Sequence, residues 1–229
     1  IGEWWKKKET TSNEKPKQKN IHISRQSLRM QLLEELDTSE SIQWWHQLID
    51  VSQNNNGRVD LVFQVGEKKE KAQTDLVVGA DGIRSIVRKC IIKEDNTPLQ
   101  YTGFIVILGI CDINNLVDTK SDLLDGKTIF QTVNGHERIY VMPYSHDAIM
   151  WQMSFPMTED TARSLSAKWP DELKQEAIRR APWHNPIPQM LSQTHRSKIT
   201  GYPIYDKEIL SVEQLQKAGN ATLIGDSAH

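Results

Sequence analysis

The stretch "TDLVVGADGIRSIVRK", from Thr74 to Lys89, decides the fold prediction because it runs from an apolar strand into a glycine-rich turn and then a basic segment. The apolar run Leu76–Val78 is typical of a buried parallel strand. Gly79 and Gly82 allow the backbone to turn sharply or to lie close to a ligand. Asp81, between them, can accept hydrogen bonds from nearby backbone amides. The pattern therefore predicts a strand that ends in a turn suited to ligand binding.

The arginines after this turn suggest a site for an anion. Arg84 and Arg88 would lie one turn apart on the same face of a helix that begins at about Ser85. A helix N-terminus with two guanidinium groups is an anion site, and diphosphate is its usual occupant. An ordinary strand-to-helix turn with its arginines in water explains this segment alone equally well.

The last nine residues, "ATLIGDSAH" from Ala221 to His229, repeat the design. Leu223 and Ile224 indicate a second short buried strand, which Gly225 ends. Asp226 would then stand at the carboxyl end of that strand, where acidic residues of dinucleotide-binding folds accept hydrogen bonds from sugar hydroxyls. Two such strand ends in one chain favour a nucleotide site.

Composition limits the class of protein. The 229 residues, 38% hydrophobic and 25% charged, are typical of a globular chain with a buried core. A formal net charge of −2 predicts no general attraction to nucleic acid, and no apolar run approaches the roughly 18 residues of a membrane span. Cys90 and Cys111, which are widely spaced, favour a reducing, cytoplasmic location. The seven histidines lack the close spacing of zinc ligands, so we expect no metal site.

Periodicity predicts the elements of the first part of the chain. After a lysine-rich loop over residues 1–20, leucines at helical spacing indicate a helix from about Arg25 to Leu36 with Ser24 as its cap. Turn signals then separate the three strands of a meander, of which the third runs from Lys71 to Gly79. The pair Trp44 and Trp45 is expected to pack in the core of the first strand.

The second part of the chain is predicted to contain another, antiparallel sheet. Its strand candidates cover Tyr101 to Ile113, Lys127 to Val133, Arg138 to Pro143 and Ala148 to Phe155. Helices are predicted from Glu159 to Lys168, Pro170 to Arg180, near Gln189 to Gln193, and Val212 to Ala218. Strands over residues 197–206 and 220–226 flank the last of these helices.

Three motifs resemble those of the class A flavoprotein monooxygenases, the aromatic hydroxylase group that includes tetracycline-inactivating enzymes. "DLVVGADGIRSIVR" (75–88) is similar to the Asp-Gly motif of that family. "LIGDSAH" (223–229) is similar to its Gly-Asp motif, in which the aspartate binds the ribityl chain of FAD. "ISRQSLRMQLLEEL" (23–36) resembles its arginine-bearing helix, where Arg25 would contact FAD near the diphosphate.

The resemblance implies an α/β fold: an incomplete, Rossmann-like FAD/NAD(P)-binding domain with an inserted substrate domain on a mostly antiparallel sheet. Residues 1–98 and 206–229 would belong to the FAD-binding domain, and residues 99–205 to the substrate domain. The residues that it implies for cofactor binding are Arg25, Asp81, Gly82, Arg84, Ser85, Arg88, Gly225 and Asp226.

The chemistry that the resemblance implies belongs mainly to the cofactor. NADPH or NADH would reduce FAD, and O2 would supply one oxygen atom to an aromatic or polyketide-like small molecule. No side chain has to act as a nucleophile, so no catalytic residue is assigned. By the same analogy the second sheet would line the substrate, with polar contacts from Gln131, Arg138, Tyr140 and Gln152. Ordinary strand residues that face water explain each of these four equally well.

Two departures from the family pattern leave an alternative open. No Gly-x-Gly is present among the 12 glycines, and the chain stops directly after the Gly-Asp motif. We therefore expect a part of a longer, active hydroxylase; as a whole protein, the 229 residues would bind FAD weakly or not at all. The alternative is a non-catalytic remnant or small-molecule-binding module of the same fold that cannot hold FAD.

Overall fold

A computed structural model describes residues 23–36, 41–92, 98–116, 119, 121–216 and 218–228. The predicted loop over residues 1–20 and the terminal His229 lie outside these ranges. The helices are α1 (Arg25–Glu35), α2 (Ile86–Ile92), α3 (Glu159–Ser166), α4 (Pro170–Arg180), α5 (Ile187–Gln193) and α6 (Val212–Gln216). The strands are β1 (Gln47–Gln53), β2 (Val59–Val65), β3 (Lys68–Thr74), β4 (Val77–Gly79), β5 (Gln100–Asp112), β6 (Phe130–Val133), β7 (Arg138–Pro143), β8 (Ala148–Pro156), β9 (Ile199–Asp206) and β10 (Ala221–Leu223).

The first sheet is the predicted antiparallel meander, in the order β1-β2-β3. The prediction of a single third strand from Lys71 to Gly79 is wrong, because the chain leaves the meander after Thr74 and enters a different sheet at Val77. The core position expected for the tryptophan pair is also wrong. Trp44 and Trp45 lie in the turn before β1, and Trp45 is 90% exposed.

The second sheet is a parallel pair formed by β4 and β10, strands that are more than 140 residues apart in sequence. One face of the pair packs on α2 and the meander, where Val77 and Leu223 are buried. On the other face Leu76, Val78 and Ile224 are between 49% and 59% exposed. The prediction that the apolar runs of these two strands are fully buried is therefore wrong. The described residues cover one face of this pair, whereas parallel sheets are usually covered on both faces.

The third sheet is antiparallel, in the order β6-β7-β8-β5-β9, as the sequence predicts. Side chains alternate along β8, so that Ile149, Trp151, Met153 and Phe155 point to a core shared with α3, α4 and α5. Among the described residues, the helices that pack on this sheet lie on this one face and not on the other. The opposite face carries the alternate positions, which are half-buried or exposed along β7 and β8.

Within the described ranges, the buried hydrophobic residues form two separate clusters. One belongs to the five-stranded sheet and its helices, and the other joins the meander, α2 and the β4–β10 pair. Helix α1 has the predicted position and cap, since the backbone N–H of Ser27 donates to Oγ of Ser24 at 3.1 Å, yet it buries no residue. No helix in the described ranges is long and apolar enough to cross a membrane.

Candidate functional site

The two glycine-aspartate turns lie side by side. In the parallel register Leu223 is opposite Gly79, and the N–H of Ile224 donates to the carbonyl of Gly79 at 2.9 Å. Neighbouring strands are about 4.8 Å apart, and the carboxyl ends of parallel strands meet at one edge of a sheet. Asp81 and Asp226 therefore follow adjacent strand ends on the same edge, where open α/β sheets bind their ligands.

Asp81 holds the start of α2. Its Oδ2 accepts hydrogen bonds from the backbone amides of Ile86, at 2.7 Å, and Val87, at 3.2 Å. The carboxylate thus occupies the amides that a helix N-terminus would otherwise offer to a phosphate group. Its second oxygen, Oδ1, makes no hydrogen bond or ion pair with the described residues and remains able to accept a further hydrogen bond.

Ser85 and Arg88 also have structural roles, and both are buried. The hydroxyl of Ser85 accepts the N–H of Arg88 at 2.9 Å and caps α2. The guanidinium of Arg88 donates to the carbonyls of Ala228, at 3.1 Å, and Glu208, with a longer contact of 3.5 Å to Ser227. Arg88 is 1% exposed, so its guanidinium does not face the solvent at this edge.

The structure therefore separates the two arginines that were expected on one helix face. Arg84 lies in the turn before α2 and is exposed, whereas Arg88 points inward, since its side chain leaves the first helical turn toward the core. Arg84 makes no hydrogen bond or ion pair with any residue in the described ranges. Of the two guanidinium groups, only that of Arg84 is exposed, and Arg84 belongs to the turn that follows the end of β4.

Ser227 is a site residue whose role the sequence did not indicate. It is 0% exposed, and its Oγ lies 2.6 Å from the carbonyl oxygens of both Gly79 and Ile224. A hydroxyl has a single proton, so it donates to one of these carbonyls at a time or shares the proton between them. Either arrangement fastens the Gly-Asp turn to the end of β4.

The arrangement fits a nucleotide that lies across both turns. Gly82 and Gly225 have φ values of +78° and +61°, and a Cβ built on either glycine would meet no atom within 4 Å. The backbone at both turns is therefore open to close approach by a ligand. With the exposed side chains of Arg84 and Asp226, the edge offers one cation and one carboxylate, which suit a phosphate and a sugar hydroxyl.

Arg25 is not brought to this edge by any contact. It is the first residue of α1 and is exposed, and no hydrogen bond or ion pair joins it to another described residue. A different arginine of α1, Arg29, does make a contact: its guanidinium carbon lies 5.6 Å from the ring centre of Trp44. The role of Arg25 in FAD binding stays a prediction.

The four residues expected to contact substrate do share a surface, the helix-free face of the five-stranded sheet. Gln131, Tyr140 and Gln152 are directly opposite one another across β6, β7 and β8. Arg138 is on the same face two residues before Tyr140, and its Nε donates to Oε1 of Gln131 at 3.1 Å. The sheet therefore gathers these polar side chains into one patch; that they contact a substrate stays a prediction.

Comparisons with known proteins place this geometry in a family. The family described as FAD binding domain matches residues 4–229. The chain is 31% identical over 157 residues to the aurachin C monooxygenase/isomerase of Stigmatella aurantiaca, an alignment that covers 69% of this chain and 37% of that protein. It is 28% identical over 218 residues to the monooxygenase cfoF of Aspergillus candidus, covering 91% of this chain and 50% of that protein.

A solved structure has the same fold. Klebsiella pneumoniae HpxO, complexed with FAD and uric acid, superposes with a TM-score of 0.72 over 90% of this chain and 48% of that one, at 21% identity. The predicted fold class is confirmed: an FAD-binding α/β fold with antiparallel sheets, of which this chain covers a part. The chain spans half or less of the length of the curated relatives given above. Nothing in the comparisons specifically supports a non-catalytic remnant.

Proposed function

The chain belongs to the FAD-binding domain family of the class A flavoprotein monooxygenases, and from that premise we propose that the intact protein uses NAD(P)H and O2 to hydroxylate an aromatic or polyketide-like small molecule. The observation that carries the proposal is the parallel pairing of β4 with β10, which sets the Asp-Gly and Gly-Asp turns side by side. Neither turn alone is specific, but the pair forms a single edge for a dinucleotide.

Four groups at this edge would hold FAD. The carboxylate of Asp226 would accept hydrogen bonds from sugar or ribityl hydroxyls, and the guanidinium of Arg84 would bind a phosphate. The open backbone at Gly82 and Gly225 would allow the nucleotide to approach closely. Bound FAD would supply the redox chemistry with which O2 is activated. Asp81, Ser85 and Arg88 would act indirectly, by fixing the turns.

The helix-free face of the five-stranded sheet would form one wall of the substrate site. Its polar patch of Gln131, Arg138, Tyr140 and Gln152 lies among apolar positions of the same face, which are Leu108, Met142 and Met150. Such a surface can cover a flat, largely apolar ring and fix its orientation with a few polar contacts. The side chains of this wall would bind and orient the substrate and exclude water; none has to form a covalent bond with it.

The location of the protein is part of the proposal. Cys90 and Cys111 are free thiols, Cys111 is fully buried, and burial raises the pKa of both. Free thiols without a disulfide partner are typical of proteins in a reducing compartment. We therefore place the protein in the cytoplasm.

The function is tested by purifying the intact protein and recording its visible absorbance. A monooxygenase should show the spectrum of bound flavin and should oxidise NADPH or NADH faster when a suitable aromatic compound is added. With isotopically labelled O2, one labelled oxygen atom should appear in the product. A protein that neither retains nor takes up FAD would contradict the proposal and favour the non-catalytic alternative.

A further inference from the structure

The sequence contains two Asn-Gly pairs, and both lie in hairpin turns: Asn56–Gly57 between β1 and β2, and Asn134–Gly135 between β6 and β7. An Asn-Gly pair is chemically unstable, because glycine has no Cβ to keep its backbone nitrogen away from the carbonyl carbon of the asparagine side chain. Both pairs are exposed, so water reaches either one. The two asparagine side chains differ in how firmly they are held.

The carboxamide of Asn134 is held within its own turn. Its Oδ1 accepts the backbone amides of His136, at 3.1 Å, and Glu137, at 2.8 Å. Its Nδ2 donates to Oε2 of Glu137 at 2.7 Å, and the other oxygen of that carboxylate lies 2.8 Å from Nη1 of the half-buried Arg180. All of these hydrogen bonds to the Asn134 carboxamide must break before its carbonyl carbon can turn toward the nitrogen of Gly135.

The carboxamide of Asn56 has no such restraint. Its turn is shaped by Asn54 instead, whose Oδ1 accepts the backbone amides of Asn56 and Arg58, each at 3.0 Å. The Asn56 side chain makes no hydrogen bond or ion pair with any residue in the described ranges. The attacking amide of Gly57 donates to the carbonyl of Asn54, but at 3.3 Å this bond is long. The pair at Asn56 is therefore much less protected than the pair at Asn134.

We propose that Asn56 is a site of spontaneous deamidation, with water as the co-reactant. The backbone nitrogen of Gly57 forms a bond to Cγ of Asn56, the Cγ–Nδ2 bond breaks, and ammonia leaves with the proton of the attacking amide. Water then opens the resulting succinimide ring. Opening between the nitrogen and Cγ gives aspartate, whereas opening between the nitrogen and the backbone carbonyl carbon gives isoaspartate. This inference is independent of the proposed function.

The position of this turn gives the modification a structural consequence, because the turn is tied to the loop before β10. Nδ2 of Asn220 donates to the carbonyl of Gly57 at 2.6 Å, and Nε2 of Gln53 donates to the carbonyl of Ala218 at 2.6 Å. The carbonyl of Asn220 also accepts the N–H of Val77, at the start of β4, at 3.0 Å. Isoaspartate adds a carbon to the main chain directly before Gly57. It should therefore displace the Gly57 carbonyl and break its hydrogen bond to Asn220.

The test is to store the intact protein in isotopically labelled water at physiological temperature and mildly alkaline pH, and to map its peptides by mass spectrometry. Deamidation replaces the NH2 of an asparagine with an oxygen from water, so the label identifies each residue that reacted during storage. We expect Asn56 to react at least about tenfold faster than Asn134, because no hydrogen bond of its side chain has to break first.

Unfolded protein is the matched control for the effect of structure. In guanidinium chloride the hydrogen bonds of both turns are lost, so the two Asn-Gly pairs should react at about equal rates.

The variant Asn56→Gln tests the consequence for stability. A glutamine side chain would have to form a larger ring and reacts far more slowly, and the exposed position tolerates it. The isoaspartate form, separated by chromatography, should have a Tm lower by roughly 2–4 °C, which corresponds to the loss of about one hydrogen bond. The Asn56→Gln protein stored in parallel should keep its Tm.

Three results would overturn the proposal. The first is a folded protein in which Asn134 reacts as fast as Asn56, or in which neither takes up the label while the unfolded protein does. The second is a rate difference that persists in guanidinium chloride, since neighbouring sequence rather than hydrogen bonding would then set it. The third is an isoaspartate form with the Tm of the unmodified protein, which would show that the turn is not held through Gly57.

Discussion

Replacing Arg88 with methionine tests how the Gly-Asp turn is held. The side chain is 1% exposed, and its guanidinium donates to the carbonyls of Ala228 and Glu208. Hydrogen bonds to a charged group contribute about 1.5–3 kcal/mol each, so two contribute roughly 3–6 kcal/mol. The cost of burying the guanidinium offsets part of this, which leaves an expected loss of about 2–4 kcal/mol for Arg88→Met.

The assay is thermal unfolding of the intact protein, followed by FAD titration of the folded variant. For a chain of this size the loss corresponds to a Tm lower by roughly 5–15 °C. FAD affinity should fall as well, because the carbonyls of residues 227 and 228 lose the contact that fixes the turn. Arg84→Met is the matched control: Arg84 is exposed, so stability should change by less than about 0.5 kcal/mol while FAD binding weakens.

The results that would refute this reasoning are specific. An Arg88→Met protein as stable as the wild type would mean that the buried contacts do not hold the turn. A large loss of stability in Arg84→Met would mean that the two arginines have been assigned the wrong roles.

Two further substitutions test the sheet-and-helix unit. Gly109→Ala would place a Cβ against the ring of Trp151, which is fully buried. We therefore expect the free energy of unfolding, measured with urea, to fall by about 1–3 kcal/mol. An unchanged urea midpoint would contradict this packing. Hydrogen bonds from Arg179 and then Arg180, with their charges, lower the pKa of Glu176. The ionised Glu176 therefore stabilises the folded state fully at pH values above about 4.3, the ordinary glutamate pKa. This stabilisation is lost as the pH falls through the lowered pKa. Glu176→Gln should therefore be less stable at neutral pH and lose less stability on acidification, and parallel pH profiles of Tm would contradict this.

Local signals in the sequence were sufficient for most elements. The cap at Ser24 and the leucine spacing predicted α1 to within a residue, because both act inside one helix. The antiparallel sheet followed from alternation and turn residues along β7 and β8. The two similar strand ends suggested a nucleotide site before the resemblance was drawn, but no local signal specifies their pairing, because it joins segments far apart in the chain.

Features that depend on distant contacts were not predictable from such signals. The side chain of Arg88 points inward and donates to the carbonyl of Glu208, which is 120 residues away in the chain. The sequence near Arg88 does not reveal this contact. Its spacing from Arg84 therefore suggested that the two arginines share a helix face. The apolar run at residues 76–78 looked uniformly buried, yet what covers each face of a strand is decided by other elements. Trp45 is exposed because the strand begins only at Gln47, which leaves Trp45 in the preceding turn. The residue at which a strand begins depends on its pairing with other strands and is hard to predict from nearby sequence.

The central claim is that Asp226 binds the cofactor. Its most direct test is to measure the Kd of the Asp226→Ala protein for FAD. Loss of a charged acceptor for sugar hydroxyls should weaken FAD binding roughly 10- to 100-fold. Asp160→Ala, at an exposed position of α3, should bind FAD like the wild type. Equal FAD affinity in the wild type and both variants would contradict the assignment of this edge as the flavin site.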